Sequence, residues 1–148
     1  MRPLHLVFAL LLGTMALHAS DDAAGRNKYV RCVVTVSDSV IVCGGSVTVS
    51  FMLHPVDGIH VNGDPTPDFS LAQKDKSIAA DTLRFAVEAS TGHLDSEKPL
   101  TCVLSISKKL SPRVHTLHGT LSYFFCSDEK GWCNHFDQPV TIHIRIRQ

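Results

Sequence analysis

An all-β, antiparallel sandwich is the fold class that this sequence predicts, on three observations. Alternation of apolar and polar residues with a period of two recurs along the chain. Clusters of turn-forming residues separate the alternating runs at short intervals. Helical periodicity is absent beyond the first twenty or so residues.

The elements follow in chain order. "MRPLHLVFALLLGTMALHA" has a charged start at Arg2, an apolar run through Leu17 and a small residue at Ala19, and reads as a secretory signal over residues 1–19. The run is short for a bilayer span, and an uncleaved anchor is the rival reading. Residues 20–28, "SDDAAGRNK", are expected to form a flexible lead-in, and residues 29–148 one domain. "VVTVSDSVIV" reads as a hairpin turning at Ser37-Asp38. "VTVSFML" places Val47, Val49, Phe51 and Leu53 on one face, "TLRFAVEA" Leu83, Phe85 and Val87, and "TCVLSIS" Cys102, Leu104 and Ile106. "LHGTLSYFF" does the same with Leu117, Leu121, Tyr123 and Phe125, and "VTIHIRI" with Val140, Ile142, Ile144 and Ile146. Between them lie "CGGS", "HPVDG", "NGDPTPD", "STGH", "DSEKP" and "SPR". About seven or eight short strands at this spacing predict an immunoglobulin-like β-sandwich.

Composition narrows the function. Lys and Arg total 14 against 14 Asp and Glu, and the largest basic cluster is Lys108-Lys109, so no electrostatic footprint for nucleic acid is present. No G-x-S-x-G elbow or paired-carboxylate motif suggests hydrolysis. The mature residues His54, His60, His93, His115, His118, His135 and His143 offer metal ligands together with cysteine. Yet no C-x-x-C or H-x-x-x-H spacing occurs, and neither metal nor cofactor is expected.

The five cysteines carry the chemistry. Export would place them where disulfides persist. Cys102 falls on a core-facing strand position and is expected to remain a buried thiol. Counting outward from Ser37-Asp38 sets Cys32 opposite Cys43, and counting from Glu129-Lys130 sets Cys126 opposite Cys133. Opposed strand residues lie about 4.5 to 5.5 Å apart, within disulfide reach. Loop closure gives each bond about 2.5 to 3 kcal/mol, so stability does not separate a structural bond from a reactive one. Around the second pair, Lys130 and His135 favour a thiolate, Asp128 and Glu129 oppose it, and Gly131 removes bulk beside Cys133. Phe124 and Trp132 are candidates for docking a partner, whereas Phe125 shares the core-facing side with Tyr123. From these residues alone, a structural bond and an exchange-active bond both stand.

"DGIHVNGDPTPDFSL", followed far downstream by "LHGTLSYFFCSDEKGWC" and a last strand, resembles the N-terminal periplasmic domain of the thiol–disulfide reductase DsbD and its stand-alone relatives. The resemblance covers most of residues 29–148, and its most specific part is Gly119, Leu121 and Tyr123 leading to Cys126. It implies an immunoglobulin-like domain in the periplasm, relaying reducing equivalents between a thioredoxin-like donor and oxidised periplasmic proteins. Carried over by position, Cys133 forms the mixed disulfide and Cys126 resolves it; His60 falls within the matched pattern. The resemblance also implies that a separate membrane protein supplies the electrons. On this reading the chain is a thiol–disulfide oxidoreductase component; the alternative is a non-enzymatic binding or chaperone-like sandwich with structural disulfides only, and a copper- or zinc-binding protein is a third reading behind both.

Overall fold

Four of the alternating stretches become the inner walls of two facing sheets. The computed structural model describes residues 25–38, 40–80, 83–85 and 92–147. The expected signal, residues 20–24 of the lead-in and Val87 lie outside them. Ten strands are present among the described residues: β1 (Val30–Val36), β2 (Val40–Val42), β3 (Ser46–Pro55), β4 (His60–Val61), β5 (Asp68–Leu71), β6 (Ala79–Ala80), β7 (Leu83–Arg84), β8 (Leu100–Ile106), β9 (Val114–Ser127) and β10 (Trp132–Arg147). One sheet has the order β1-β3-β8-β6. The other runs β2-β10-β9-β5-β7, with β4 also paired to β9. Every pairing is antiparallel except that of β2 with β10. The fold is an immunoglobulin-like β-sandwich, as the alternation predicts.

The core follows from the period of two. Val47, Val49, Phe51 and Leu53 of β3 and Leu100, Cys102, Leu104 and Ile106 of β8 are buried on one sheet. Leu117, Leu121, Tyr123 and Phe125 of β9 and the four apolar residues of "VTIHIRI" are buried on the other. Phe51 meets Phe69 across the sandwich with ring centroids 4.9 Å apart. Gly119 permits that aromatic layer. A Cβ there would stand 2.5 Å from the Phe69 ring and 2.7 Å from the Ser70 carbonyl oxygen. A single 3-10 turn, Gln73–Asp75, is the one helical element among the described residues, and no helix there is long and apolar enough to cross a membrane.

The first hairpin is a correction. β1 does not fold back on β2; it pairs along its whole length with β3, which sets Cys32 opposite Leu53. β2 crosses to the other sheet and runs parallel to the end of β10, where the Cys43 backbone nitrogen donates to the Arg147 carbonyl at 3.1 Å. Cys32 and Cys43 therefore belong to different sheets, and both are free thiols. The reason is ladder length: β1 gains a seven-residue register against β3, which a three-residue partner cannot offer. Ile41 still reaches the core from its new position. Cys102 is free and buried, as its strand position predicts.

The last residues of the expected lead-in, 25–28, also differ from a loose segment. Gln138 Nε2 donates to the Gly25 carbonyl at 3.1 Å, and Asn27 Nδ2 donates to the Tyr123 hydroxyl at 3.2 Å. A half-buried tyrosine ring follows at Tyr29, packed against Trp132 and Phe125. The segment is tied down because Tyr123 would otherwise bury an unpartnered hydroxyl.

Candidate functional site

β9 and β10 form the longest hairpin of the molecule, and its tip carries the cysteine pair. Cys126 stands directly opposite Cys133 in the register, their Cα atoms are 4.1 Å apart, and the two sulfurs are bonded. The count from Glu129-Lys130 therefore holds. Gly131 makes the turn possible: its φ of +63° lies in the left-handed region that a side chain resists, and no atom lies within 4 Å of where a Cβ would stand. Lys130, exposed, closes the turn by donating its backbone N–H to Ser127 Oγ at 3.4 Å.

The two sulfurs sit in unlike surroundings. Cys126 is 4% exposed, flanked in the sheet by β4 on one side and β10 on the other. Cys133 is exposed, and from Trp132 to Ile144 the outer edge of β10 has no strand neighbour among the described residues. A second molecule can reach the sulfur of Cys133 and not that of Cys126.

Strand alternation sorts the expected neighbours. His60 opposes Cys126 across β4 and β9, so His60, Cys126 and Cys133 form a row on one sheet face. Phe124 and His135 form the next pair of that face, with ring centroids 4.8 Å apart, and His135 Nε2 lies 3.5 Å from Asp137 Oδ1. Trp132 turns the other way. It is half-buried against Tyr29 at 5.2 Å and Phe125 at 5.8 Å, which makes it packing beneath the tip rather than a free docking surface. Phe124 is half-buried on the outer face.

Two further side chains join the row, Asp128 and His93, which the sequence did not link to each other. Asp128 Oδ2 lies 3.4 Å from His60 Nδ1, and the His93 ring stacks on the His60 ring at 3.6 Å with 16° between their planes. No local pattern signals this group, because its three members come from separate segments of the chain. Two of the three remaining thiols are set apart by burial, which pushes Cys32 and Cys102 each up to about 11, the latter against the opposing pull of a backbone hydrogen bond from Val49. Burial likewise pushes the Tyr123 phenol up to about 12, opposed by its Asn27 hydrogen bond.

No family model matches the chain, and no curated protein matches it. Among solved structures the chain is similar to murine CRIg, at 14% identity and a TM-score of 0.37, over 80% of this chain and 99% of that one.

Proposed function

We propose that this chain is an exported thiol–disulfide exchange domain working through Cys126 and Cys133. The observation that carries the reading is the asymmetry of the pair: an exposed sulfur on an open sheet edge, bonded to a buried sulfur directly across the hairpin. Exchange needs one sulfur that a partner can reach and a second held within reach of the first. The resemblance to the DsbD N-terminal domain, carried by Gly119, Leu121, Tyr123 and Cys126, supports the same assignment.

The reaction balances as a two-electron transfer. In the dithiol form, the Cys133 thiolate attacks a disulfide sulfur of an oxidised protein, and the displaced sulfur leaves as a thiolate. Cys126, deprotonated, then attacks Cys133 Sγ; the intramolecular disulfide forms and the substrate departs as a dithiol. A thioredoxin-like dithiol restores the pair by the reverse sequence, attacking Cys133 first because Cys126 is covered. The periplasm is the compartment that suits this chemistry, since substrate disulfides persist there.

Trapping tests the reading. In the full chain, Cys126→Ala removes the resolving sulfur and leaves Cys133 to attack, so mixed disulfides with thioredoxin-like proteins should accumulate at Cys133, mapped by mass spectrometry. Cys133→Ser should trap little. A redox titration of the wild type should give a potential above about −300 mV, the range of exchangeable disulfides. Two folded variants that trap nothing, with a potential below that range, would leave a binding sandwich with a structural bond.

A further inference from the structure

We infer that His60, His93 and Asp128 form a binding site for a borderline divalent transition cation, Zn2+ or Cu2+, at the tip of the β9–β10 hairpin. Each residue offers one ligand atom, and all three atoms lie within 4.8 Å of one another. Tetrahedral ligands at bond lengths of about 2.0 to 2.2 Å are separated by roughly 3.4 Å. His60 Nδ1 and Asp128 Oδ2 already stand 3.4 Å apart. The other separations are at most 4.8 Å. The His60 and His93 rings stack at 3.6 Å and nearly parallel, so the exposed His93 ring must turn out of that stack for its lone pair to converge with that of His60, a side-chain rotation.

The backbone holds the three positions in place. His60 belongs to β4 and pairs with β9, and its side chain is only 18% exposed, so it serves as the fixed ligand. His93 is bridged to Asn62. On either side of it, the Gly63 N–H donates to the Gly92 carbonyl and the Leu94 N–H to the Val61 carbonyl, each at 2.8 Å. Asp128, with its side chain 80% exposed, follows the end of β9 and can adjust at little cost.

A second observation points to the same place. The side-chain oxygen of Asn62 is buried and finds no hydrogen-bond partner among the described residues. Such an acceptor carries a desolvation cost unless something donates to it. Asn62 sits two residues beyond His60 on the same strand face and is bridged to His93. A water completing the coordination of an ion held by these histidines would be a suitable donor.

The donor set selects the ion. Two imidazole nitrogens and one carboxylate oxygen suit Zn2+ and Cu2+; Ca2+ and Mg2+ prefer all-oxygen shells. Three protein ligands leave a position open for water or an exchangeable group, the pattern of a reactive or transfer site rather than a closed structural one.

Titration of the oxidised full chain with Zn2+ against a chromophoric chelator tests the site. With Cys126 and Cys133 bonded, neither is a thiolate ligand, so the result does not depend on the proposed exchange activity. Wild type should bind one ion at this site, and His93→Ala and Asp128→Asn should each weaken it by at least about tenfold, the loss of one of three ligands. Both residues are exposed, so the metal-free variants should melt with the wild type. The controls His143→Ala and Cys43→Ser, at positions outside the cluster, should bind as the wild type does. With Cu2+, electron paramagnetic resonance should show two nitrogen ligands, falling to one in His93→Ala. Absence of binding at millimolar Zn2+, or binding unaffected by His93→Ala and Asp128→Asn, overturns the inference.

Discussion

The unlike burial of the two bonded cysteines makes single serine substitutions unequal, and the inequality can be worked out in advance. Cys126→Ser and Cys133→Ser both remove a cross-link that closes a loop with a sequence separation of 7. Loop-closure entropy puts that loss at about 2.5 kcal/mol in either case. Position 133 is exposed, so a serine hydroxyl there meets water and adds little. Position 126 is 4% exposed. A hydroxyl buried there without a partner adds about 1 to 3 kcal/mol. The expected losses are therefore about 2.5 kcal/mol for Cys133→Ser and about 3.5 to 5.5 kcal/mol for Cys126→Ser. Urea denaturation of both variants beside oxidised wild type measures the gap. With a slope of about 2 kcal/mol per molar urea, a 2 kcal/mol difference separates the midpoints by about 1 M. The cross-link contribution cancels between the variants, so the difference tests the burial alone. Coincident midpoints, or a less stable Cys133→Ser, would refute the asymmetry on which the attacking and resolving roles rest.

Three further outcomes follow from the packing. Gly119→Ala should cost about 1 to 3 kcal/mol, because its Cβ must displace the Phe69 ring and cannot displace the Ser70 backbone oxygen; an unchanged melting temperature refutes this. Stability should fall as pH rises from about 9 to about 11: the folded thiols of Cys32 and Cys102 keep their protons up to about 11 while the unfolded chain releases them near 9.0. The rise from 9.0 to about 11 bounds the contribution of each at about 2.7 kcal/mol, and thermal melts of Cys102→Ala across this range should show a shallower slope than wild type. Pulse alkylation of the oxidised protein at neutral pH should leave Cys32 and Cys102 largely unlabelled until global unfolding, a result that equal labelling of folded and unfolded protein contradicts.

What could be read from the sequence was whatever depended on local chain geometry. β3, β8, β9 and β10 announce themselves because each buries one face, and alternation then fixes which residues point inward. The Cys126–Cys133 pairing follows for the same reason, since a short turn sets the register of both strands. The same count about Ser37-Asp38 failed because it presumed a hairpin. β1 is paired by a strand that begins ten residues after it ends, and β2 by the last strand of the chain. Nothing in "VVTVSDSVIV" records that choice, which rests on the ladder each strand can make elsewhere. Trp132 packs inward for a related reason: its partner Tyr29 comes from the far end of the described chain. The grouping of His60, His93 and Asp128 lies at the same limit, since β4, the bridge at Asn62 and the hairpin tip meet only in three dimensions.

The open sheet edge at Cys133 is also a hazard, because unpaired backbone groups invite other strands. β10 meets that hazard along part of its length. At its C-terminal end β2 covers the edge in parallel pairing from Arg145 to Arg147. In the middle, Pro139 removes a backbone donor and packs against Gly25, and Gln138 binds the Gly25 carbonyl, so Gly25 lies against this stretch. Nearer the tip, Asp137 and His135 put polar side chains on the outer face. What remains without such cover is the segment around Cys133 and the stretch from Val140 to Ile144. On the proposed exchange reading, the open segment around Cys133 is where a partner's sulfur would approach, while Gly25 and the polar side chains of His135 and Asp137 guard the stretch beside it.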